Sequence, residues 1–165
     1  MAWTSGFWLK EPNGKGLETP WHQDINYWPL EPQVTITCWM ATVDVDADNA
    51  PLQIIPGSHR HMVPHLDVAG RALEQQAEPK FVDLSKAKTL IMKAGEFVIF
   101  SEKMLHGSPA NVSPRPRYAL STRYSLPQTR LFPNEAPINF PAYRSLMVSG
   151  TDKFGFNPFG TPPVG

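Results

Sequence analysis

Trp21-His22-Gln23-Asp24 places an imidazole and a carboxylate two positions apart. On an extended segment such residues share a face, about 7 Å apart at the backbone, so both side chains can converge on one metal ion. A second imidazole stands in Met104-Leu105-His106-Gly107-Ser108, just past an apolar run. Two imidazoles and one carboxylate form a facial ligand set that leaves adjacent positions open on an octahedral ferrous ion, and oxygen chemistry needs that room. The same residues have plainer readings: His-x-Asp suits a surface loop, and His106 beside Gly107 suits a turn.

Arg117 follows eleven residues after His106. A planar guanidinium offers a carboxylate two parallel donors, which lysine cannot copy. Arg115, Arg123 and Arg130 are near in sequence and any of them could take that role. The four could also make an anion patch, but alternate residues of a strand face opposite ways and break it up. A rival metal cluster is His59, His61 and His65, three imidazoles within seven residues but without an adjacent carboxylate or cysteine. Cys38 reads as a small core residue, and its being the one cysteine excludes a disulfide framework and a multi-thiolate zinc site.

The elements that must position these groups read as strands. Val34–Val45 is rich in β-branched residues, Leu52–Ile55 is stopped by Pro56-Gly57, and Thr89–Met92 and Phe97–Phe100 flank a turn-like Ala94-Gly95-Glu96, as a hairpin would. Tyr118–Tyr124 and Phe7–Lys10 are further strands, and Gly70–Ala77 is the one helix candidate. From Pro127 onward, prolines, glycines and aromatics alternate without period, which predicts an extended tail wrapping the domain. Eighteen prolines in 165 residues disfavour a helical bundle. Strands without alternating helices predict a mostly β, jelly-roll or cupin-like double-stranded β-helix, with residues 1–165 as a single domain.

Charge and targeting narrow the class. Fifteen basic residues balance fifteen acidic ones, so no global field attracts nucleic acid or an anionic membrane. The N-terminus lacks a secretory pattern and no long apolar run follows, which predicts a cytoplasmic protein. Neither oligomeric state nor substrate is legible.

Asn49-Ala50-Pro51-Leu52-Gln53-Ile54-Ile55-Pro56-Gly57-Ser58-His59, His106-Gly107-Ser108 and Arg117 follow His22-Gln23-Asp24 in an order that resembles the phytanoyl-CoA dioxygenase family of iron(II)- and 2-oxoglutarate-dependent oxygenases. The likeness runs from about Phe7 to Tyr124, and more loosely through Gly150–Gly155. It implies that His22, Asp24 and His106 hold iron(II), that Arg117 pairs with the far carboxylate of 2-oxoglutarate, and that Ser108 and Ser121 help bind this cosubstrate. It also implies that Gln23 and Trp28 line the substrate pocket, and that the segment after His59 is a loop beside the site. The implied reaction consumes O₂ and 2-oxoglutarate, with ascorbate as a supporting reductant. It releases succinate and carbon dioxide and hydroxylates a small molecule. Halogenating relatives carry a small residue in place of the acid, so Asp24 points to hydroxylation. Relatives usually have a further stretch before the His-x-Asp strand that covers the sheet, so an abbreviated N-terminal side with exposed sheet is expected. The alternatives are a non-catalytic jelly-roll module that only binds its ligand, and a cupin-like enzyme using another metal.

Overall fold

The computed structural model describes residues 1–131 and 144–162. Its strands are β1 (Ala2–Lys10), β2 (Thr19–His22), β3 (Leu30–Glu31), β4 (Thr35–Ala41), β5 (Gln53–Ile54), β6 (His65–Asp67), β7 (Gln75–Ala77), β8 (Lys88–Thr89), β9 (Phe97–Ser101), β10 (His106–Ser108), β11 (Arg117–Ser125) and β12 (Arg130–Leu131). Short 3-10 turns join several of them. Two four-stranded sheets carry the fold, one in the order β1-β11-β4-β9 and one in the order β2-β10-β5-β8, with antiparallel pairing throughout both. This is the mostly β, jelly-roll type of architecture expected from the composition.

The core shows how the sheets are joined. Trp39 and Ala41 of β4, Phe100 of β9 and Ala119 of β11 cluster with Val45, Leu52 and Met92, and Ile54 of β5 packs against them. Burying such side chains contributes about 1.5–3 kcal/mol each for the larger ones. The register fixes which residues face inward: Arg117, Ala119, Ser121 and Arg123 alternate along β11 with outward-facing Tyr118, Leu120 and Thr122. The outer face of the first sheet is strongly apolar, with Phe7, Leu9, Ile36, Phe97, Ile99 and Tyr118 all exposed.

Several expectations are corrected. The Val34–Val45 strand ends at Ala41, because the carboxylate of Asp46 accepts the Asp48 and Asn49 backbone N–H groups and Asn49 Oδ1 accepts that of Asp46, closing a turn that competes with the ladder. Thr89–Met92 and Phe97–Phe100 do not form a hairpin. The first run contributes to β8, which pairs with β5, while the second is β9, which pairs with β4 in the other sheet. No helix forms over Gly70–Ala77: Gly70 has φ +71°, and Gln75–Ala77 is β7, paired with β6. Strand β1 is longer than Phe7–Lys10, since its full length pairs with β11. The tail expected over 127–165 lies partly outside the described residues. Within them, β12 pairs with β3, Leu146 bridges Ala2, and Ser145 bridges Phe159.

Candidate metal and anion site

His22 ends β2 and His106 begins β10, and the two residues are partners in register. Asp24 is not on the same strand as His22, as the sequence suggested. Gln23 is extended, at φ −114° and ψ 128°, and Asp24 then opens the 3-10 turn Asp24–Tyr27, which swings its carboxylate back toward both imidazoles. Asp24 Oδ1 lies 3.4 Å from His22 Nε2 and 3.8 Å from His106 Nε2, and the two rings are 4.1 Å apart between centroids. One donor atom from each residue falls within 4.8 Å of the others, all three residues are buried, and no other such group occurs among the described residues.

The surroundings orient these donors. His22 Nδ1 meets the Pro20 carbonyl at 2.8 Å and His106 Nδ1 meets the Met104 carbonyl at 2.9 Å. Each ring therefore donates from Nδ1 and turns the Nε2 lone pair inward, as a ligand must. Thr37 Oγ1 donates to Asp24 Oδ2 at 3.1 Å, leaving Oδ1 free to face the imidazoles. Gly107 permits the close approach of β10 to β2: a Cβ there would lie 3.0 Å from the Thr19 carbonyl oxygen and 3.3 Å from the Trp21 nitrogen. Burial together with the neighbouring His22 pushes His106 down to about 4, so its ring is neutral at pH 7. Burial raises the Asp24 carboxyl, and the neighbouring imidazoles of His106 and His22 together with the Arg123 charge more than offset this, holding the group below the usual carboxylate range.

The triad opens into a cleft of about 970 Å³ lined also by Lys10, Trp28, Trp39, Ser108, Arg117, Ser121 and Arg123. Arg117 is 3% exposed, lies over the Trp39 ring at 5.2 Å, and has Nε and Nη1 buried without a hydrogen-bond partner. Burial draws it down only to about 10, so it stays cationic. Ser121 Oγ is likewise buried and unpartnered, and Ser108 is buried in the cleft wall. Orphaned donors of this kind are costly unless a ligand satisfies them. The donor sets therefore fit a divalent metal at the triad and an oxyanion at Arg117.

The other arginines separate. Arg115 is exposed and ion-paired to Asp46, and Arg130 lies over Phe156, so neither reaches the cleft. Arg123 does reach it. Gln23 is fully buried but turned away from the cleft, correcting its place as a pocket residue: Nε2 donates to the carbonyls of His61 and Lys103, and Oε1 accepts the Val63 N–H. The rival histidine cluster does not assemble, since His65 uses Nε2 to accept the Gln23 N–H and Nδ1 to meet the Val63 carbonyl. Two cleft residues went unnoticed in the sequence. Lys10 is the register partner of Arg117, its ammonium donates to the Leu17 carbonyl, and Trp39 floors Arg117. A lysine ending an apolar strand was the one available signal for the former.

Comparison with known proteins agrees with this geometry. The family model described as Phytanoyl-CoA dioxygenase matches residues 1–119. An ectoine dioxygenase of Bordetella bronchiseptica is 27% identical over 146 residues, covering 78% of this chain and 47% of its own. The chain thus spans about half the length of the curated relatives it matches. Among solved structures, a non-heme monooxygenase, ThoJ, superposes with a TM-score of 0.74 at 23% identity, covering 98% of this chain and 57% of the other. The protein EvdO2 from Micromonospora carbonacea var. aurantiaca, complexed with 2-oxoglutarate, gives a TM-score of 0.60 at 23% identity, covering 81% and 56%. At these identities the two structures establish the shared fold.

Proposed function

The chain belongs to the phytanoyl-CoA dioxygenase family, and from that premise we propose that it is an iron(II)- and 2-oxoglutarate-dependent dioxygenase that hydroxylates a small molecule. In this reading His22, Asp24 and His106 hold iron(II), and Arg117 with Lys10 holds the far carboxylate of 2-oxoglutarate. Ser108 and Ser121 stand beside that cosubstrate, and Trp28 lines the space left for the substrate. The observation that carries the reading is the pairing of one buried triad with the buried, unsatisfied guanidinium of Arg117 in the same cleft.

With iron bound, the centre supplies oxidative decarboxylation of 2-oxoglutarate to succinate and carbon dioxide, coupled to oxygenation of a C–H bond. The chain supplies the rest. The Pro20 and Met104 carbonyls hold the two imidazoles by their Nδ1 atoms and leave Nε2 turned inward, and Thr37 fixes the carboxylate. Arg117 gives the cosubstrate one orientation by offering parallel donors to its distal end. Trp39, Leu52 and Phe100 are apolar surfaces of the cleft that limit water around the reacting groups.

The test is oxygen-free addition of iron(II) and 2-oxoglutarate followed by visible spectroscopy, then succinate release in air with ascorbate present. A weak charge-transfer band that is absent in Asp24→Ala and in His106→Ala supports the assignment. A band unchanged in both variants rejects it.

A further inference from the structure

We propose that the substrate is a small organic anion, with Arg123 binding its oxygens and the Trp8 and Trp28 rings holding its apolar body. The inference rests on the oxygenase reading and names the substrate class for the same cleft.

Arg117 and Arg123 lie on one face of β11, six residues and so about 20 Å of strand apart. Lys10 stands across from Arg117, whereas Arg123 stands across from Thr37, whose hydroxyl donates to Asp24. The two guanidinium groups therefore approach the triad from different ends of the cleft. A five-carbon diacid that meets the metal with one end and Arg117 with the other has no charged end left for Arg123.

Arg123 also carries an orphaned donor. Its Nε is buried without a hydrogen-bond partner, and it forms no ion pair among the described residues. Asp24 makes no ion pair with it: Oδ2 accepts from Thr37 and Oδ1 faces the imidazoles. The guanidinium lies 5.7 Å from the Trp8 ring and 5.3 Å from the Trp28 ring, and Trp3 packs edge-on against Trp28 at 5.1 Å. These faces hold the charge in place without neutralising it. Burial weakens the hold on its proton, while the field of Asp24 acts in the opposite sense. A cation desolvated in this way costs free energy that an incoming oxyanion offsets through charge-assisted hydrogen bonds. Room exists beside it: at Gly6, across from Ser121, a Cβ would meet nothing within 4 Å. The walls there are Trp3, Trp8, Trp28 and Leu131, which suit a hydrocarbon or aromatic body.

The test uses phenylalkanoates of graded chain length and their primary amides as probes. Binding is read from tryptophan fluorescence on oxygen-free protein saturated with iron(II) and 2-oxoglutarate. The best acid is expected to bind at least about tenfold more tightly than its amide, a difference that shrinks below about twofold in Arg123→Gln and is partly retained in Arg123→Lys. The affinity for 2-oxoglutarate of Arg123→Lys, which keeps the charge beside Asp24, stays within about twofold of the parent when followed by the visible band. Equal binding of acid and amide, or discrimination that survives in Arg123→Gln, overturns the proposal. So does loss of 2-oxoglutarate together with the acid, which would make Arg123 part of the cosubstrate site. If the parent protein takes no 2-oxoglutarate, the oxygenase reading fails by itself, and the acid-against-amide contrast on metal-free protein still decides the role of Arg123.

Discussion

Lys10 and Arg117 face each other in register across β1 and β11, two buried cations that form no ion pair among the described residues. Burial and the Arg117 charge draw Lys10 down to about 7. Because its folded value is depressed, protonated Lys10 destabilises the fold fully below about pH 7, and that penalty fades as pH rises toward the unfolded value. A bound carboxylate reverses the preference and recruits the proton. Affinity for 2-oxoglutarate is therefore expected to fall about tenfold from pH 6 to pH 8. Titration calorimetry in buffers of different ionisation enthalpy should show proton uptake, and Lys10→Met should abolish both the uptake and the slope. A pH-independent affinity in the parent protein would contradict the pairing.

Thr37 makes one hydrogen bond that matters to the triad, to the Asp24 oxygen that points away from the imidazoles. Thr37→Val keeps the shape of the side chain and frees the carboxylate to rotate. Iron(II) affinity, measured by competition with a chromogenic chelator, should drop about tenfold. Chemical unfolding of the metal-free protein should change by no more than about 1–2 kcal/mol.

Gln23 sits between two candidate ligands yet its side chain is structural, tying the 61–63 segment to Lys103 through three hydrogen bonds. Gln23→Ala strands these buried partners and should cost about 2–4 kcal/mol in urea unfolding. Gln23→Glu should also destabilise, because Nε2 donates to two carbonyls that a carboxylate oxygen would repel.

The apolar outer face of the first sheet should drive association. Phe7 is 74% exposed, Phe97 59% and Ile99 54%, and they are joined by Leu9, Ile36 and Tyr118. Contiguous surface of this kind is sticky in water. The 165-residue chain should sediment as a concentration-dependent mixture, and Phe97→Lys combined with Ile99→Thr should shift it toward monomer without altering the iron(II) band.

Much of the site could be read from residue types, and much of the fold from composition. His22, Asp24, His106 and Arg117 carry their chemistry in their identities, and β-branched runs such as Thr35–Ala41 announce strands locally. What escaped depended on contacts distant in the chain. Strand β10 is three residues long and has no propensity of its own, existing because β2 and β5 flank it. Lys10 becomes notable only when β1 docks against β11, and Gln23 turns from the cleft only because residues 61–63 and Lys103 offer it partners. The helix expected near Gly70 lost to the pairing of Gln75–Ala77 with β6, a tertiary reward that local pattern does not contain.

Strand β11 stores three polar cleft groups, Arg117, Ser121 and Arg123, on odd-numbered positions of one run, with Tyr118, Leu120 and Thr122 on the even ones. Ligand recognition in this chain is thus a matter of parity. Inserting or deleting a single residue between 118 and 120 would leave Arg117 in place but rotate Ser121 and Arg123 out of the cleft, whereas a two-residue change would shift them along the strand while keeping them inside. Evolution of new specificity here is free to exchange side chains but is constrained to count in twos.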